Sequence, residues 1–276
     1  MERIDSHQHF WQYHPVKDAW ITDDMAAIQR DFMPSDLKPL LDANGVSGCV
    51  AVQADPSEAE TAFLLGLADR HPFIKGVVGW VDLQADDAAD RLAHFSSHPK
   101  LKGVRHLVQG EEDPRFLSRP PFMAGIEALA AHSLTYDILV KPHQLDAVVP
   151  FVASFPHQPF VVDHLAKPYI KAGQQQPWAD QMAAIAQYDN VYCKLSGMVT
   201  EADWAAWKPA DFDFYIRHIV DVFGPGRVMF GSDWPVCNVA ADYGAVVALV
   251  EQALRHLSPH DQERIWHTNA VDFYQL

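Results

Sequence analysis

One pattern constrains this chain more than any other: short runs rich in β-branched and apolar residues alternate with longer segments of helical spacing from end to end. The runs are Arg3–His7, Gly48–Gln53, Ile74–Val81, Leu101–Leu107, Leu134–Val140, Pro159–His164, Asn190–Ser196 and Arg227–Ser232, eight in all. Between them, Ser57 and Glu60 read as a capping box that opens a helix. Leu145, Val148, Val149 and Val152 form one helical stripe, and Trp178, Met182 and Ile185 form another. A third, Ile216, Ile219, Val220 and Phe223, is stopped by Gly224-Pro225-Gly226. Ser258-Pro259, an N-cap followed by proline in the first turn, begins a closing helix toward Tyr274. Strands separated by helices must pair in parallel through right-handed crossovers, and eight such units close a barrel of about 250 residues. The 276 residues therefore predict an α/β fold, a (β/α)8 TIM barrel, with one domain over residues 1–276 and no repeat or linker.

Charge and cysteine usage narrow the function classes. A formal charge of −15 repels phosphate backbones and anionic lipid, so neither nucleic acid nor membrane is an expected partner. The first ten residues carry Glu2, Arg3, Asp5 and two histidines instead of an apolar leader, which points to a cytoplasmic protein. Cys49, Cys193 and Cys237 are too far apart for a C-x-x-C and are expected to be buried thiols. No G-x-S-x-G elbow, P-loop or G-x-G-x-x-G occurs, which disfavours serine hydrolases, NTPases and dinucleotide enzymes.

In such a barrel the chemistry sits where strands end. His7 and His9 lie two apart at the end of the first run, so both face one side. His164 ends the sixth run, in register with Phe160 and Val162, and Asp233 follows the eighth. Four such groups at one end of the barrel are a stronger signal than any alone, since an isolated H-x-H is as readily a surface pair. Arg105 and Lys194 also end strands, and a charge inside a barrel must face a ligand or pair with a carboxylate. Lys194 is open to either reading. Lys167 and Tyr136 are further candidates, Lys167 being equally compatible with a solvated loop. Trp11, Trp20, Trp80 and Trp234 fall near the mouth, where indoles stack on sugar rings or simply plug the barrel.

Ile4-Asp5-Ser6-His7-Gln8-His9-Phe10-Trp11, Gly103-Val104-Arg105-His106, Asp163-His164-Leu165-Ala166-Lys167-Pro168, Lys194-Leu195-Ser196-Gly197 and Gly231-Ser232-Asp233-Trp234-Pro235 together resemble the amidohydrolase superfamily. Within it they are similar to the branch of sugar-lactone and pyrone dicarboxylate lactone hydrolases. The resemblance spans essentially the whole chain. It implies a distorted barrel that hydrolyses a cyclic ester, most simply an aldonolactone such as L-fuconolactone or L-rhamnonolactone. Asp233 would be the general base, Arg105 and His164 its catalytic partners, and His7, His9, Trp80, Tyr136, Lys167 and Lys194 the substrate contacts. Arg105 stands where the wider superfamily places a metal-bridging residue, so a binuclear centre is not expected. His7, His9, His164 and Asp233 suit a single divalent metal such as zinc, although members of this branch work without one. Two rival readings remain, a zinc-dependent decarboxylase of an unsaturated or aromatic acid and a barrel that binds lactones without turnover.

Overall fold

The computed structural model describes residues 2–276. Eight strands run in chain order around one sheet: β1 (Ile4–Gln8), β2 (Gly48–Val52), β3 (Ile74–Gly79), β4 (Leu101–His106), β5 (Thr135–Ile138), β6 (Phe160–Val162), β7 (Val191–Leu195) and β8 (Val228–Phe230). Every neighbouring pair is parallel. The ring closes through a bridge between Gln8 and Trp234, where Asp233 N donates to His7 O at 2.8 Å and His9 N donates to Trp234 O at 2.7 Å. β6 and β8 are only three residues long, and register shifts interrupt β1–β2, β2–β3 and β3–β4, so the barrel is irregular, as the resemblance implied.

One helix follows each strand: α1 (Pro34–Ala43), α2 (Glu58–Arg70), α3 (Ala88–Ser96), α4 (Pro120–Leu129), α5 (Val148–Ala153), α6 (Trp178–Ile185), α7 (Asp213–Phe223) and α8 (Tyr243–Leu254). Ser57 caps α2 by accepting from Glu60 N at 3.2 Å, but the Glu60 carboxylate does not return to Ser57. It accepts instead from Ala54 N at 2.5 Å and Asp55 N at 3.0 Å, so only half of the expected capping box forms and the other half ties down the loop after β2. The stripe predicted for α7 is buried along Ile216, Ile219, Val220 and Phe223, and each such side chain contributes about 1.5–3 kcal/mol.

Apolar surface is buried in two places. The larger layer lies between strands and helices. The smaller fills the lower barrel with Ile4, Val50, Val52, Val78, Val161 and Met229. The closing segment is helical from Pro259 to Tyr274, α9 (Pro259–Glu263) and α10 (Asn269–Tyr274) being joined by a π-helical turn over Arg264–Thr268, and Phe273 and Tyr274 of α10 cap this lower core. The bottom is thereby sealed, and polar side chains accumulate at the other end. The three cysteines are free and buried. Among the described residues, no helix is long and apolar enough to cross a membrane.

Candidate active site

The polar end of the barrel is assembled chiefly from β1, β6 and β8. His7 enters beside Gly231, where a β-carbon would stand 2.7 Å from His7 Cβ; only glycine leaves that space. Past β6 the chain turns left-handed for four consecutive residues, His164, Leu165, Ala166 and Lys167, with φ of 54°, 53°, 56° and 53°. Each costs about 1–2 kcal/mol for an L-residue, and the surroundings impose the conformation. Leu165 and Ala166 are fully buried, Lys167 N donates to His164 O at 2.7 Å, and Trp178 Nε1 donates to Leu165 O at 2.7 Å. Strict strand alternation would have sent His164 outward with Phe160, which packs on Phe151 of α5. The left-handed turn delivers both His164 and Lys167 to the cavity instead.

Asp233 also has positive φ, 57°. Its Oδ1 lies 3.3 Å from His9 Nε2 and 3.9 Å from both His7 Nε2 and His164 Nε2. His9, His164 and Asp233 border a cavity of about 280 Å³, whereas His7, expected as a substrate contact, is fully buried behind them and does not line it. Its lining combines the polar His9, Arg105, Gln109, His164, Lys167 and Asp233 with Trp20, Ala54, Leu107, Gly110, Leu139 and Val236.

Beneath His7 lies a sealed ion network. Arg105 Nη1 donates to Asp163 Oδ2 at 3.0 Å and stands 3.2 Å from His7 Nε2, while its Nη2 donates to the Gln53 carbonyl. Lys194 Nζ is 2.5 Å from Asp137 Oδ2, 3.0 Å from Asp163 Oδ1 and 3.1 Å from His7 Nδ1. Tyr274 of α10 donates to Asp137 at 2.8 Å. With Asp233 and the Lys167–Glu201 pair included, three cations face four carboxylates, which leaves one negative charge at the cavity end.

Burial alone would raise the Asp233 carboxyl, but His164, the hydrogen bond from His9 and Lys167 outweigh it and hold it below the ordinary carboxylate value. Burial pushes His7 and His164 well below the usual imidazole range, so both are neutral at pH 7. His9 Nδ1 lies 2.7 Å from the Val52 carbonyl, which only accepts, so Nδ1 donates there, and Nε2 faces Asp233 Oδ1 at 3.3 Å. His164 Nδ1 pairs with Ser196 Oγ at 2.8 Å, which leaves its Nε2 to the cavity.

A divalent cation requires neutral imidazoles and an ionised carboxylate converging on one point. His7, His164 and Asp233 offer ligand atoms all within 4.8 Å of one another, and the unbalanced negative charge favours a cation, so the donor set fits one metal ion. The second cluster of this kind, His7, Asp137 and Asp163, already surrounds the Lys194 ammonium.

Three sequence expectations meet a different placement. Tyr136 is fully buried against Phe122 and Phe151, in the layer between strands and helices, because alternation along β5 turns Asp137 inward. It does not border the cavity. Lys194 is also fully buried and belongs to the ion network, the second of its two readings, because the carboxylates of β5 and β6 reach it first. Trp80 points its indole nitrogen toward His106 Nδ1 at 3.4 Å, outside the cavity wall. Trp11 and Trp234 are packing residues, whereas Trp20 lines the mouth. The sequence reading passed over Asp137, Asp163, Gln53, Ser196 and Gln109. Asp137 and Asp163 carried a usable signal, each a carboxylate in or directly after an apolar strand, where it must find a cation; an amide or hydroxyl carries none.

Comparison with known proteins places these residues in context. The amidohydrolase family profile matches residues 4–276. An L-fucono-1,5-lactonase of Burkholderia ambifaria is 40% identical over 282 residues, covering 99% of this chain and 96% of that protein. One from Burkholderia multivorans is 41% identical over 288 residues, with 99% and 96% covered. The crystal structure of an amidohydrolase from Burkholderia multivorans with bound zinc superposes with a TM-score of 0.95 at 38% identity, over 100% of both chains.

Proposed function

Because the chain belongs to the amidohydrolase family, we propose that it is a lactonase that opens a sugar aldonolactone, of the L-fucono-1,5-lactone kind, to the free acid with Asp233 as general base. One observation carries this reading: an ionised, buried carboxylate faces a small cavity that it shares with a neutral His164 and two cations. Asp233 takes a proton from the water that attacks the lactone carbonyl. Arg105 and Lys167 line the cavity together with Asp233 and stabilise the oxyanion. The carbonyl–ring oxygen bond then breaks, and Asp233 returns its proton to the departing alkoxide, so one carboxylate serves both steps. His9 and His164, fixed by Val52 and Ser196, hold that carboxylate in place.

His7, His164 and Asp233, with His9 alongside, would hold one divalent ion, zinc by ligand type. When bound, it would add Lewis acidity at the carbonyl. Arg105 and Lys167 already supply positive charge there, so turnover is expected to survive chelation within about twofold. A dicarboxylate pyrone is a poorer fit. It would need several cations for two carboxylates besides the oxyanion, yet with Lys194 sealed away only Arg105 and Lys167 line the cavity.

The test is a pH-indicator panel of aldonolactones on the intact enzyme, with and without a chelator. Acid release without gas supports the reading. Carbon dioxide from unsaturated or aromatic acids, or ligand binding with no turnover, overturns it.

A further inference from the structure

We propose that Gln109 is a specificity-determining residue, whose side-chain amide accepts a hydrogen bond from one ring hydroxyl of the lactone. Gln109 sits on the loop after β4 and lines the same cavity as Asp233, Arg105 and Lys167. Its side-chain oxygen is buried and has no hydrogen-bond partner. A buried acceptor left in this state is costly, and it stands out against neighbours along the loop that are hydrogen-bonded. Gln109 N donates to Leu139 O at 3.0 Å, Gly110 N to Leu107 O at 3.0 Å, and Glu111 N to Val108 O at 3.0 Å. Gln144 Nε2 donates to Val108 O at 2.7 Å, and His106 Nε2 meets Glu111 Oε1 at 2.7 Å. The backbone is therefore fixed in advance while one amide is kept free beside the cavity.

Leu107, Leu139 and Val236 line the same cavity. Their side chains offer a bound sugar no polar partner, so the Gln109 amide is a polar group through which the cavity reads a hydroxyl. A site built to bond a hydroxyl rejects the analogue that lacks it far more strongly than an apolar wall rejects an added one. This assignment rests on the lactonase reading.

The experiment measures kcat/KM of the wild-type enzyme and of Gln109→Leu on a polyhydroxylated lactone and on its single-deoxy analogues. The wild type is expected to disfavour one deoxy analogue by about 10- to 100-fold. Gln109→Leu is expected to lose the same factor on the parent lactone, to be unchanged within about twofold on that one analogue, and to keep its thermal midpoint. An equal loss on every lactone, or no loss on any, overturns the assignment while leaving the lactonase reading intact. If the wild type opens none of these lactones, both fall.

Discussion

Asp5 accepts from both the backbone nitrogen of Ser232, at 2.9 Å, and its hydroxyl, at 2.6 Å, across 227 positions of sequence. Tyr243 and His7 N donate to the same carboxylate at 3.1 Å. β1 is thereby bolted to the residue before Asp233, and the groups of the two chain ends are brought face to face. All four contacts are donors. An asparagine would turn an NH2 toward some of them, so Asp5→Asn is expected to destabilise the fold by about 2–3 kcal/mol and to lower kcat. Urea unfolding with steady-state kinetics checks both; unchanged values would mean that the bolt carries no strain.

Asp233→Asn keeps the shape of the side chain and removes the base. Turnover is expected to fall by about 10²–10⁴-fold with the circular dichroism spectrum unchanged. A variant with near wild-type rates would exclude Asp233 from proton transfer.

The two lysines at the site are expected to respond in opposite ways. Lys194→Met leaves Asp137 and Asp163 facing each other without their cation, and breaking such a buried pair costs about 3–5 kcal/mol. Lys167→Met borders the cavity and pairs with the half-exposed Glu201 only. It should leave the thermal midpoint nearly unchanged and depress kcat/KM. A stable Lys194→Met protein, or a Lys167→Met enzyme of full activity, would reverse the assignment.

Burial raises the Asp137 carboxyl to about 6, against the pull of Lys194. The folded protein therefore holds this proton more tightly than the unfolded chain does. The resulting contribution to stability is present below the ordinary carboxylate value of 3.8 and is lost as pH rises from there through about 6. Relative to Asp137→Asn, which has no such proton, the wild type is expected to lose stability between pH 4 and 6 and to run parallel above that range. Denaturation midpoints at each pH decide it; parallel lines throughout would show that Asp137 titrates normally.

The barrel was legible in the sequence because strand and helix periods are local: eight runs and eight helical segments can be counted without knowing what touches what. His7, His9, Arg105 and Asp233 were legible as polar endings of apolar strands, and the rule that barrel chemistry lies at strand ends needs no coordinates. Tertiary structure decided the rest. Whether Lys194 meets substrate or carboxylate depends on which strands flank it, and β5 and β6 bring Asp137 and Asp163 within 3.0 Å. His164 reaches the cavity by breaking strand alternation in a left-handed turn that packing imposes and no local preference favours. Sequence set the chemical groups and the architecture. Contacts between residues far apart along the chain set which charges are neutralised and which remain to act on a substrate.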